Sequence, residues 1–96
     1  MSSLHYTSEG RSGTVRFVGQ GTSFEMWWEF AGGDALAIVA VPSEDEWEAK
    51  TKLSQAERTT ILEWIGEQLV KDHTHGQGRY ECDDRFITLY RQSTPS

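Results

Sequence analysis

Between Thr22 and Phe30 the chain alternates in a way that leaves few folds open to it. Phe24, Met26, Trp28 and Phe30 fall on one set of positions, and Ser23, Glu25, Trp27 and Glu29 on the other. A period of two belongs to a strand with one face in a core and one toward solvent. Such a strand needs an apolar stripe elsewhere in the chain to cover it, and the sequence supplies one. Ser54-Gln55-Ala56-Glu57 reads as a capping box, in which the Ser54 hydroxyl and the Glu57 carboxylate satisfy each other's backbone amides. From there to about Asp72, the residues Ile61, Leu62, Trp64, Ile65 and Leu69 form one stripe at a 3.6-residue period. Glu63, Gly66, Glu67 and Lys71 fall away from its centre.

The rest of the chain reads as short strands punctuated by glycine. Leu4–Thr7 and Thr14–Val18 precede the alternating strand. Ala35–Val41 follows it, apolar on both faces, and is ended by Pro42, which cannot donate to a ladder. Arg79–Cys82 and Phe86–Arg91 make a final hairpin turning at Asp83-Asp84. The expected fold is a single α+β domain over residues 1–96, with 1–3 and 93–96 as frayed tails. It is an antiparallel β-sheet meander of about six strands, order β-β-β-β-α-β-β, with one long amphipathic helix packed on one face. A chain of 96 residues has room for one core only. The face opposite the helix is expected to carry Trp27, Val39 and Val41, covered by the loop 42–53, a second copy of the chain or another partner.

Charge narrows the choice of partner. The formal net charge is −6 and the pI about 4.9. A field of that sign repels phosphate, so neither nucleic acid nor an anionic membrane surface is an expected partner. The longest apolar run, Ala35 to Val41, is far short of the ~20 residues a membrane span needs. Cys82 is the only cysteine, and no basic-then-apolar leader opens the chain, so a cytoplasmic setting is expected. The acidic excess is concentrated in residues 25–48, where Glu25, Glu29, Asp34, Glu44, Asp45, Glu46 and Glu48 have no basic residue among them. Trp27, Trp28 and Trp47 lie in the same stretch.

That stretch gives the candidate site. Glu25, Trp27, Glu29, Glu44, Glu46, Trp47 and Glu48 are expected to form a protein-binding surface, with tryptophan as the anchor and carboxylates steering a basic partner. The competing reading has Trp27 half-covered by the 42–53 loop and the carboxylates merely solvated. Other features point less clearly to chemistry. Arg58 sits on the helix stripe, either snorkelling at the sheet edge or paired with a buried carboxylate. His73 and His75 have metal-donor atoms but no recognised ligand spacing, and they read as a solvated linker. Cys82 alternates with Tyr80 on an apparent core face, where a thiol is inert packing. Gly19-Gln20-Gly21 and Gly76-Gln77-Gly78 are too short for a phosphate loop.

No catalytic constellation, metal site or cofactor is implied, and the chain is not read as an enzyme. In size and charge alone it resembles the small acidic bacterial proteins that neutralise a basic toxin or chaperone a secreted effector. The expected function is therefore non-catalytic recognition of a basic protein. The alternatives are a homodimeric scaffold using the open sheet face, or a small-molecule-binding domain or enzyme with a pocket between sheet, helix and the 42–53 loop.

Overall fold

The computed structural model describes residues 2–91. Four strands come first: β1 (Ser3–Tyr6), β2 (Ser12–Gly19), β3 (Thr22–Phe30) and β4 (Ala35–Ala40). Two helices follow, α1 (Trp47–Thr51) and α2 (Gln55–Thr74), and then β5 (Arg79–Cys82) and β6 (Phe86–Tyr90). The strands form one antiparallel sheet in the order β1-β2-β3-β4-β6-β5. The α+β class, the sheet and the long covering helix are as the sequence predicts. Ser3, expected in a frayed end, pairs with Val18. Met1 and the expected tail 93–96 lie outside the described residues.

Local chemistry explains the main elements. Gln20 and Gly21 both have positive φ (54° and 75°), which matches the twist of a tight two-residue hairpin and sets the β2–β3 register. At the helix start, Ser54 N–H donates to the Glu57 carboxylate at 3.2 Å and the reciprocal capping box is closed. The helix ends at His75 in the left-handed conformation, followed by Gly76, whose N–H reaches the Val70 carbonyl at 3.3 Å.

The core lies wholly on the helix side of the sheet. Val15, Phe17, Phe24, Met26, Ile87 and Leu89 from the strands meet Ile61, Leu62, Ile65 and Leu69 from α2. Val39 and Val41 belong to this core, contrary to their expected place on the opposite face. Trp28 pairs with Val39 and Trp27 with Ala40, so Val39 shares the side of Trp28. A bulge between Ala35 and Ala37 shifts β4 against β6 and leaves Ile38 and Ala40 on the far face. Gly66 is a second correction, because it is buried and faces the sheet rather than solvent. The ring of Tyr80 lies where a Cβ on Gly66 would come within 2.6 Å of it, so only glycine allows this helix–strand approach.

The segment 42–53 is not a loop over the far face. It holds α1, on the same side of the sheet as α2. Trp47 is fully buried (0% exposed), edge-on to Phe24 at 5.6 Å, and its Nε1–H donates to the Ser54 carbonyl at 2.9 Å. Thr51, equally buried, donates its hydroxyl to the Trp47 carbonyl at 2.7 Å and accepts from the Leu53 amide at 3.1 Å. The Thr22 hydroxyl donates to the Thr51 carbonyl at 2.6 Å, which fastens α1 to the start of β3.

Trp47→Ala is expected to lower stability by about 3–5 kcal/mol, through lost burial and the void left behind. Trp27→Ala, at a 45% exposed position, is expected to cost no more than about 1 kcal/mol. Urea unfolding of the two variants side by side checks this contrast. Ser54→Ala is expected to cost about 1 kcal/mol by the same measurement, through loss of the cap.

Candidate functional site

Two surfaces stand apart from the core, one on each side of the sheet. The first is the open face. Cross-strand pairing places Thr14, Trp27, Ala40 and Phe86 in one row across β2, β3, β4 and β6. Trp27 is 45% exposed and Phe86 38% exposed. Ile38 and Thr88 pair in the adjoining row, both partly buried. No described element crosses this face, so the strip Trp27–Ala40–Phe86 is uncovered. Glu25 and Glu29 flank Trp27 along β3, both exposed and, among the described residues, without an ion-pair partner within 4.0 Å. Arg16 stands opposite Glu25 in the register. Toward the far edge, the Arg79 guanidinium lies 4.0 Å from the centre of the Tyr90 ring and pairs with Glu81.

The expected acidic site does not assemble as one patch. Glu25, Trp27 and Glu29 share the open face. Trp47 is in the core and contributes no surface. Glu44, Glu46 and Glu48 are exposed in and before α1, on the helix side of the sheet. Glu46 is salt-bridged to Lys50 at 3.3 Å, and that ammonium holds its carboxyl below the usual carboxylate range. The Glu44 amide donates to the Asp84 carboxylate at 3.0 Å, tying this segment to the β5–β6 turn.

The second surface is a cavity of about 230 Å³ between the sheet and the C-terminal half of α2. Its floor is aliphatic: Val15, Ala37, Val39, Leu69 and Leu89. Its rim carries rings, those of Tyr6, Trp28, Phe30 and His73, together with Thr7 and Ser8. Beside the 42–53 segment, where a pocket is the alternative expectation, the structure places the buried Trp47. That end of the sheet–helix gap is filled by Trp47, and the cavity lies at the opposite end, where Phe30 runs past the helix and is left 45% exposed.

The cavity walls are fixed by named contacts. Trp28 Nε1–H donates to the Thr7 carbonyl at 2.9 Å. Gly13, paired with Trp28, makes room for this, since a Cβ there would press on both the Thr7 carbonyl and the indole nitrogen. Phe30 meets Trp28 edge-on at 5.0 Å. Across the mouth, Tyr6 meets His73 edge-on at 4.6 Å and donates its hydroxyl to Asp72 at 2.6 Å. Asp72 also accepts from Gln68 Nε2 at 3.0 Å. Partial burial, and then the neighbouring carboxylate, push the Tyr6 hydroxyl well above its ordinary value.

The remaining candidates resolve into structural roles. Arg58 neither snorkels freely nor meets a buried carboxylate. Its side chain is 14% exposed and donates to the carbonyls of Pro42 (3.1 Å) and Asp84 (2.9 Å), while pairing with the exposed Asp84 carboxylate at 3.2 Å. Cys82 is exposed at the β5 edge rather than core packing, and partial burial raises its thiol above the ordinary value. Among the described residues no group of three or more His, Cys, Asp or Glu converges as a metal site would require. No helix among them is long and apolar enough to cross a membrane. No family model, curated protein or solved structure matches this chain.

The Tyr6–Asp72 contact predicts a pH dependence. Tyr6 holds its proton more tightly in the fold than in the unfolded chain, whose tyrosines titrate near pH 10. The contribution is therefore complete below about pH 10 and lost as pH rises above it. Tyr6→Phe is expected to cost about 0.5–1 kcal/mol at neutral pH and to make the alkaline fall in stability less steep. Denaturant midpoints between pH 8 and 11 for both proteins measure this.

Proposed function

We propose that this protein is a non-catalytic protein-binding module that docks its partner on the open face of the sheet, with Trp27 as the anchor. The carrying observation is the uncovered row Trp27–Ala40–Phe86, on a sheet whose entire core lies on the other side. Isolated exposed aromatics are ordinary, but here an indole on β3 and a phenyl ring on β6 stand in one row with Ala40 of β4 between them, which makes an apolar strip three strands wide. Tryptophan buries a large area with little loss of side-chain freedom, which suits it to the centre of an interface. Glu25 and Glu29 beside it, on a chain of net charge −6, favour a partner that brings cationic side chains. The partner's contact surface is thus basic around an apolar centre.

A second reading, an isologous dimer through the same face, is favoured by Arg16 standing opposite Glu25. An isologous interface sets the same patch against itself, and a patch with a cation beside a carboxylate can pair each charge with the opposite one on the second copy.

Trp27→Ala is expected to weaken partner capture by about 2 kcal/mol or more, roughly 30-fold, while the melting temperature stays near that of wild type. Glu25→Gln with Glu29→Gln is expected chiefly to slow association and flatten its salt dependence. The test is capture from the native host with wild type and Trp27→Ala side by side, with sedimentation of each protein alone over a range of concentrations. Equal recovery of the same partners by both proteins refutes docking on this face. A wild-type dimer that Trp27→Ala converts to monomer selects the second reading.

A further inference from the structure

From the geometry of the cavity we infer that it is a binding site for a small uncharged aromatic molecule of one or two rings, bearing a single hydroxyl or N–H group. Size sets the first limit. A 150 Å³ apolar cavity admits benzene, and common ligand pockets begin near 300 Å³. The 230 Å³ here lies between them, which suits a phenol or an indole. Shape sets the second. The floor of Val39, Leu69 and Leu89 offers no polar atom, whereas the mouth is framed by the rings of Trp28, Phe30, Tyr6 and His73. Aromatic edges and faces at that spacing receive another ring better than a flexible chain.

Polarity sets the third limit. The Asp72 carboxylate, bonded to Tyr6 at the rim, opposes an anion entering past it. The apolar floor opposes any charge. His73 and Ser8 are among the lining residues at the mouth whose side chains carry a donor or acceptor, so the lining offers partners for one polar group on the ligand and for little more.

The cavity is also preformed. The Trp28 indole is pinned to the Thr7 carbonyl and stands as a wall instead of folding into the space beside it. Preorganisation of this kind removes an ordering cost that ligand binding would otherwise carry.

The experiment is a titration of the ¹⁵N-labelled full chain, followed by two-dimensional NMR, with indole, phenol and octanoate as separate probes. Indole or phenol is expected to give saturable one-to-one shifts at the Trp28 Nε1–H and at the Leu69 and Leu89 amides. Octanoate is expected to bind at least tenfold more weakly. Ala37→Leu, which fills the cavity from its floor, is expected to abolish the saturable shifts. Phe30→Ala, at an exposed position that leaves the core intact, is expected to weaken binding about tenfold. The inference is overturned if neither aromatic probe saturates, if octanoate binds more tightly than both, or if binding survives unchanged in Phe30→Ala.

Discussion

One helix has to cover a sheet much wider than itself, and most of the architecture follows from that mismatch. With its side chains a helix is about 10–12 Å across, whereas six strands spaced at about 4.8 Å span roughly 24 Å. α2 therefore shelters a band of the sheet and leaves gaps beside it. At one end the gap is closed by Trp47, held by its bond to the Ser54 carbonyl and by Thr51 beneath it. At the other end nothing of comparable size is supplied, and the walls of Trp28 and Phe30 enclose the cavity. Among the described residues no second layer covers the far face, and Trp27 and Phe86 stay in contact with solvent.

The elements with strong local chemistry were legible in the sequence. The alternation of β3 gave its two faces correctly, and the Ser54–Glu57 box located the start of α2. β4 was legible as a strand but not in its orientation. Ala35-Leu36-Ala37-Ile38-Val39-Ala40 is apolar at every position, so alternation carries no information about which residues face the helix. Pairing with β3 and the bulge beside Ala35 decide it, and both depend on neighbours distant in sequence. Gly66 looked like a position off the apolar stripe because a missing side chain leaves no hydrophobic signal. Its role appears only when the Tyr80 ring is set against it.

The candidate site shows the same division. Glu25, Trp27 and Glu29 are consecutive alternate residues of one strand, so their common face follows from geometry alone. Glu44 to Glu48 are near them in sequence, but β4 intervenes and the chain then passes to the helix side of the sheet. A run of like charge in a sequence therefore need not be one patch in space. Trp47 had a weak signal of burial, since Trp47 and Thr51 are four apart and would share one helical face. The cavity had none, because its lining comes from β1, the turn after it, β2, β3, β4, α2 and β6, and no window of sequence contains it.

The placement of β6 between β4 and β5 bears on how the chain is made. β1 to β4 pair with one another in sequence order through short connections, and these are the contacts a growing chain can form first. β4 then waits for its second partner until β6 emerges, with α1, α2 and β5 in between. During that interval the nascent meander presents an open hydrogen-bonding edge along an apolar strand and an uncovered core face. Synthesis therefore passes through a stage at which association between unfinished chains competes with closure, and emergence of the β5–β6 hairpin ends it.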